Sequence, residues 1–147
     1  MPLPERLVYR VKSEWDGETG VEVELEKHPC LRLDMDEAFG GLGRHPCPDE
    51  AFASSIAGCL TTTFLYFVRK LQLSLKSLTV EAEMSIVFRK GLGYRISGVD
   101  VVMKVTVPKG EGEKASTCAS LAERYCHITA SISECIPIRF HVEVSET

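Results

Sequence analysis

The amino-acid sequence predicts an α+β fold with largely antiparallel sheets, in the order βββ-α-ββ-α-β. Six short segments alternate apolar and polar residues, which is the period of a strand that has one face in water. Two long segments instead repeat apolar residues at every third or fourth position, which is the period of a helix. Because the predicted strands come in groups and do not alternate singly with helices, a doubly wound parallel sheet is excluded.

The first group of strands is predicted to be a hairpin followed by a short third strand. Apolar and polar residues alternate over residues 7–12 and 21–26, and the turn residues 16–20 lie between them. A third alternation covers residues 31–35 and follows a break at Pro29. We therefore expect three strands before the first helix.

The first helix is predicted within residues 47–71 and begins near Pro48. Proline suits the first turn, and the carboxylates of Asp49 and Glu50 favour the positive end of a helix. The segment is apolar on nearly all sides, but its charged ends and its threonines argue against a membrane span. We therefore predict a core helix of a soluble protein, preceded by the glycine-containing loop 39–46.

The second half of the chain predicts two more strands, a second helix and a last strand. Residues 78–89 and 99–107 both alternate, with a glycine turn between them, and form an antiparallel pair. Helical spacing then covers Glu113 to Glu134, and Pro137 ends that helix. The last strand is predicted at residues 138–144.

Length and charge limit the classes of function. A chain of 147 residues is predicted to form one domain, residues 1–147. A formal charge of -4 disfavours nucleic acid or an anionic membrane surface as the main partner. The first residues lack a signal-peptide pattern, which predicts a cytoplasmic protein. The first helix is more apolar than one sheet face can cover, which predicts a homodimer.

Six cysteines are too few for a disulfide-built secreted scaffold, so we treat them as separate thiols. None forms a C-x-x-C pair, so the zinc-ribbon and thioredoxin motifs are both absent from the sequence. An alternative to separate thiols is a zinc site built from His45, Cys47, Cys126 and His127. The spacing of these residues fits no closed ligand set. We predict no metal and no cofactor.

Two segments resemble the OsmC/Ohr family, which combines osmotically inducible and organic hydroperoxide resistance proteins. The first joins the glycine loop 40–43 to Pro48–Cys59, and the second is Tyr125-Cys126-His127-Ile128 in the second helix. The resemblance implies a single OsmC-like domain and an intertwined homodimer in which sheets wrap two long central helices. It also implies that Cys59 is the peroxidatic thiol and Cys126 the resolving thiol, with Asp49 at the position of the family's catalytic glutamate.

The sequence departs from the family at the cation that activates the thiol. Burial raises the pKa of a thiol, and only the thiolate attacks an O–O bond, so a nearby positive charge is needed. The arginine that the peroxidase branch carries in the first hairpin turn is absent here. Arg44 is the nearest replacement, with Asp49 or Glu50 able to orient it, and Arg32 is the second choice.

The resemblance implies an enzyme that reduces organic hydroperoxides. Cys59 would become a sulfenic acid, condense with Cys126 to a disulfide, and be restored by an external dithiol. The alternative is a non-catalytic OsmC-like protein that binds a small ligand or serves in a stress response. Each site residue also has a simpler interpretation, because free cysteines are often core residues and the charged residues fit a helix start or a solvated loop.

Overall fold

The computed structural model describes residues 2–147, and its contacts divide the chain into two compact units. The first unit ends at Phe52, and the second covers Ala53–Thr147. The elements within the described residues are β1 (Val11–Trp15), β2 (Gly20–Leu25), β3 (Leu31–Asp34), a 3-10 turn (Glu37–Phe39), α1 (Pro48–Leu71), β4 (Ser77–Arg89), β5 (Gly93–Val107), α2 (Gly112–Tyr125), α3 (His127–Ile132) and β6 (Ile138–Glu146). The α+β class and the order of elements agree with the sequence prediction, except that the second helix is divided.

The sheet of the first unit is antiparallel and has the order β1-β2-β3. Val11 pairs with Leu25 at one end of the hairpin, and Trp15 pairs with Val21 next to the turn. The prediction that the first strand begins near Leu7 was wrong, because β2 ends at Leu25 and offers no partner to residues before Val11.

A loop stabilised by backbone geometry joins this sheet to α1. Asp36 accepts a hydrogen bond from the backbone N–H of Ala38, and Gly40 has a φ of 86°, which a residue with a side chain rarely adopts. At Gly41, a Cβ atom would overlap the backbone carbonyl of Met35. The glycines predicted to allow positive φ and close backbone approach therefore do both.

The helix α1 spans Pro48–Leu71, as the sequence predicts, with acidic residues in its first turn and basic residues in its last. Only one narrow stripe of it is buried within the chain, formed by Ile56, Leu60 and Phe64. By length and composition the helix could cross a membrane, and 17% of its most apolar stretch is buried. One chain therefore covers little of its longest apolar element.

The sheet of the second unit has the order β4-β5-β6. The hairpin β4-β5 is antiparallel, and β6 adds in parallel, with Val101 opposite Phe140. The alternation predicted for β5 is confirmed, because its odd-numbered residues from Val99 to Val107 are buried. The parallel strand requires a crossover connection, which α2 and α3 provide.

The second helix is interrupted where the sequence predicted it to continue. At Cys126 the backbone is extended, with φ of -60° and ψ of 117°, so α2 ends at Tyr125 and α3 begins at His127. The continuous helix from Glu113 to Glu134 was therefore a wrong prediction. The interruption frees backbone N–H groups at the start of α3, and these groups face a thiol on α1.

Candidate active site

Two predicted site residues, Cys59 and Cys126, come together in the second unit. Cys59 lies midway along α1, and Cys126 lies at the interruption between α2 and α3. The two thiols lie near enough to each other for the Cys126 side chain to lower the pKa of Cys59. Cys126 is fully buried, whereas Cys59 is only partly covered within the chain. The fold therefore brings two free thiols together from distant parts of the sequence.

The surroundings of Cys59 favour its ionised form. Burial raises the pKa of the Cys59 thiol, but hydrogen bonds from the Cys126 side chain and from the backbone N–H of Ile128 lower it. The Thr63 hydroxyl, 4.0 Å from the sulfur, and the N–H of His127 act in the same direction. The net effect is a lowered pKa, and neutral hydrogen-bond donors produce it.

The surroundings of Cys126 favour the protonated form. Burial raises the pKa of this thiol, and the neighbouring Cys59 raises it further. The hydroxyl and backbone N–H of Thr129 oppose the rise without reversing it. The pair is therefore asymmetric, because Cys59 loses its proton more easily and Cys126 keeps its own.

Thr129 contributes a polar atom that is otherwise unused. Its Oγ1 is buried and has no hydrogen-bond partner of good geometry among residues 2–147, although it lies near enough to Cys126 to favour that thiolate. Neither Thr129 nor Thr63 was predicted from the sequence as a site residue. Each lies one helical turn beyond a cysteine, at spacings of three and four residues, and this spacing was the signal available.

Arg44 lies in the first unit, where carboxylates surround its guanidinium. Nε is 2.8 Å from Asp34 Oδ2, and the other nitrogens are 2.7 Å from Asp16 and 3.5 Å from Glu18. Hydrogen bonds from the Arg44 side chain and from Thr19 hold the pKa of Asp34 far below its usual range. The role of Arg44 as the cation that activates Cys59 stays a prediction.

The two cysteines lie inside the part of the chain that matches a known family. The OsmC-like protein family matches residues 41–141, which is most of the chain. The chain belongs to the OsmC-like family. A comparison with curated proteins finds no match.

Solved structures of other OsmC-like proteins share the fold at low sequence identity. An OsmC-like protein from Mycoplasma pneumoniae is 12% identical, with a TM-score of 0.80 and coverage of 95% of this chain and 98% of that chain. An organic hydroperoxide resistance protein from Legionella pneumophila is 19% identical, with a TM-score of 0.66 and coverage of 95% and 97%. Another from Elizabethkingia anophelis, with thiocyanate bound, is 16% identical, with a TM-score of 0.71 and coverage of 99% and 100%.

The remaining predicted site residues of this OsmC-like chain lie in its first unit. Asp49 and Glu50 are in the first turn of α1, and Glu50 lines a cavity of about 510 Å³ together with Arg44 and Cys47. Arg32 lies 3.4 Å from Glu22 on the sheet surface. Their roles in catalysis stay predictions. Nowhere in residues 2–147 do three or more His, Cys, Asp or Glu side chains form a cluster that could hold a metal ion.

The other cysteines of the OsmC-like chain differ in exposure. Cys118 is buried on α2, and burial raises the pKa of its thiol. Cys30 and Cys135 are exposed, and Cys47 is half-buried just before α1. Cys30 and Cys135 provide natural controls for any measurement on Cys59, because both are exposed to a thiol reagent.

Proposed function

We propose that this chain is a cysteine-based peroxidase that reduces organic hydroperoxides. The observation that carries the proposal is that the fold brings together two free thiols, with the pKa of Cys59 lowered and that of Cys126 raised. Membership of the OsmC-like family supports a role in peroxide stress, as do two structural neighbours named organic hydroperoxide resistance proteins.

In the proposed reaction, Cys59 is the nucleophile. Its thiolate attacks one oxygen of the hydroperoxide, so that an S–O bond forms, the O–O bond breaks, and the leaving alkoxide takes a proton from water to become an alcohol. Cys126 then attacks the resulting sulfenic acid, which releases water or hydroxide and leaves a disulfide. An external dithiol returns the pair to two thiols. Two electrons thus pass from the thiol pair to each molecule of hydroperoxide.

The first experiment counts thiols after one equivalent of cumene hydroperoxide is added to the reduced protein. Two thiols should disappear for each chain, and peptide mass spectrometry should find Cys59 linked to Cys126. Variants Cys30→Ser and Cys135→Ser should behave like the natural chain. If the thiol count does not change, the chain is a non-catalytic OsmC-like protein and the proposal fails.

A second experiment separates attack from resolution. Cys126→Ser should react with one equivalent of peroxide and then stop, because the sulfenic acid on Cys59 has no thiol partner. Dimedone labelling of Cys59 should increase relative to the natural chain, and excess peroxide should convert Cys59 to sulfinic acid. Continued turnover in this variant would assign resolution to another thiol.

The reductant and the compartment form part of the proposal. A dithiol such as dithiothreitol should support faster turnover than 2-mercaptoethanol at equal thiol concentration, because its second thiol closes on the mixed disulfide intramolecularly. We place the enzyme in the cytoplasm, where thiols are kept reduced. Equal rates with the two reductants would remove the preference for a dithiol.

We also propose a homodimer in which a second copy covers α1. The support is the exposure of Leu65 and Tyr66 on a helix that is buried only along one stripe. Leu65→Arg should lower the sedimentation coefficient to that of a monomer, because it places a charge in the proposed interface. Thr79→Arg, on the exposed face of β4, is the matched control and should sediment like the natural chain. A stable, folded natural monomer at micromolar concentration would contradict the proposal.

A further inference from the structure

The hairpin of the second unit is longer than the strand beside it. β4 and β5 stay paired as far as Arg89 opposite Gly93, whereas β6 pairs with β5 only from Val99 onward. Residues 86–96 therefore form a two-stranded arm that extends beyond the third strand. The register shifts at the base of the arm, next to Ser85, and a bulge at such a point bends the strand.

The tip of the arm, residues 88–95, exposes apolar side chains. Phe88 and Tyr94 stand opposite each other, and their rings pack edge to face with centroids 5.3 Å apart. Phe88 is 64% exposed, Tyr94 is 53% exposed and Leu92 is 59% exposed. The turn between them is closed by a hydrogen bond that the backbone N–H of Leu92 donates to the carbonyl of Arg89. An ordered apolar surface of this kind marks a site of interaction.

Three cations flank the apolar side chains of the tip. They are Arg89, Lys90 and Arg95, and the sequence has no acidic residue between Glu83 and Asp100. Within residues 2–147, none of the three cations forms an ion pair with a carboxylate. The whole chain has a formal charge of -4. The tip therefore carries a charge opposite in sign to that of the rest of the molecule.

We propose that the tip of the arm docks on the surface of an anionic phospholipid bilayer. Exposed leucine and aromatic side chains enter the region between headgroups and acyl chains, where tyrosine is favoured because its ring is apolar and its hydroxyl is polar. Lysine and arginine beside them attract anionic headgroups. The net charge of the chain disfavours a bilayer as a partner for the whole surface, so the contact is confined to the tip.

The two faces of the arm favour a bilayer over an acidic protein as the partner. Side chains alternate between the faces, so the aromatic pair lies on one face, and Val87 and Arg95, which also stand opposite each other, lie on the other. Val87 is exposed as well, at 40%. A flat protein surface would cover one face and leave the other in water, whereas a bilayer surrounds a projecting tip and contacts both faces.

The test is co-sedimentation of the full chain with lipid vesicles. Vesicles of phosphatidylcholine alone are compared with vesicles that also contain about 30% phosphatidylglycerol, which is anionic. The chain should bind the anionic vesicles about tenfold or more tightly than the neutral ones, and added salt should weaken this binding because it screens the cations. Failure to bind the anionic vesicles would overturn the proposal, and so would equal binding to both kinds of vesicle.

Substitutions at the tip locate the contact. Lys90→Glu should weaken binding to the anionic vesicles about tenfold or more, and Leu92→Ser about fivefold, because one reverses a charge and the other removes an apolar side chain. The matched control is Lys109→Glu, which makes the same change of charge in the exposed turn at the other end of β5 and should bind like the natural chain. Equal losses in Lys90→Glu and Lys109→Glu would assign binding to overall charge and overturn the proposal.

Three other outcomes would assign the tip or the binding differently and overturn the proposal. Loss of vesicle binding in Leu65→Arg but not in Lys90→Glu would place the contact on the exposed apolar face of α1. Without lipid, a fall of the sedimentation coefficient of Lys90→Glu to that of a monomer would show that the tip contacts a second copy. Binding to polyglutamate beads but not to vesicles would assign the tip to an acidic protein. These measurements use no peroxide, so they are independent of the proposed peroxidase function.

Discussion

Two anionic groups, one in each unit, are stabilised by different means. Asp34 in the first unit is buried, and its carboxylate receives hydrogen bonds from Thr19, from the backbone of Met35 and twice from Arg44. Cys59 in the second unit is favoured as a thiolate by neutral donors. A carboxylate paired with a guanidinium keeps its charge at nearly all pH values, whereas a thiolate held by neutral donors can gain or lose its charge during a reaction.

The two clusters hold different segments of the chain together. The Arg44 cluster fastens the hairpin turn and the loop before α1 to the end of β3, because Asp16, Asp34 and Arg44 come from these three segments. The thiol pair joins α1 to the crossover between β5 and β6. Substitutions in one cluster should therefore leave the other cluster undisturbed.

The largest expected effect is on peroxide consumption. Cys59→Ser should abolish it, because a serine hydroxyl is not appreciably ionised at neutral pH and does not attack the O–O bond. Thermal unfolding should change little, since the substitution keeps the size of the side chain. Cys135→Ser is the control and should consume peroxide at the natural rate. Equal losses in both variants would mean that the cysteines serve structure.

The next effect is on stability. Asp34→Asn should lower the midpoint of thermal unfolding by about 5 °C or more, because it removes the negative charge facing Arg44 and places N–H donors against other donors. The matched control is Asp100→Asn, which breaks the exposed pair between Asp100 and Arg139. Asp100→Asn should unfold at nearly the same temperature as the natural chain. A similar drop in the unfolding midpoint of both variants would contradict a special role for Asp34.

Acid should destabilise the first unit as the Asp34 carboxylate gains a proton. The pKa of Asp34 is lowered in the folded state, so its stabilisation is present above the ordinary carboxyl value, about 4, and is lost as pH falls below it. We expect acid unfolding of Asp34→Asn to have a shallower dependence on pH than that of the natural chain. Identical slopes would exclude Asp34 as the group that titrates.

The smallest expected effect separates Arg44 from Cys59. Arg44→Ala should lower stability, as Asp34→Asn does, but move the midpoint of Cys59 labelling by less than about 0.3 pH unit, because nearby carboxylates compensate the guanidinium charge. Labelling of Cys30 serves as the reference within the same sample. A rise of one unit or more would instead support Arg44 as the activating cation expected from the sequence.

The elements with a strong local pattern were predictable from sequence. The bounds of α1 follow from Pro48 and the apolar repeat, and the buried alternation of β5 follows from its valines. The parallel direction of β6 was not predictable from its own residues, since alternation is the same in both directions. The start of β1 depends on where β2 ends, which is a property of the pair and not of the strand.

The site was predictable in its cysteines and not in its surroundings. The apolar repeat continues through Cys126 without a glycine or proline, so no local signal marks the interruption that frees the N–H groups of His127 and Ile128. The partners of Arg44 lie 10 and 28 residues away in sequence, at Asp34 and Asp16, and only the folded unit brings them together. Tertiary contacts, which periodicity does not encode, determine both features.

The crossover that carries Cys126 also determines when Cys59 gains its hydrogen-bond donors during folding. Parallel pairing of β5 with β6 closes a long loop, and such non-local contacts form late because their entropy cost is paid before they stabilise the chain. On a ribosome-bound or partly folded chain, Cys59 therefore lacks the donors at the start of α3 and behaves as an ordinary cysteine. Under the proposed function, the sensitivity of Cys59 to peroxide would arise only once the crossover has folded.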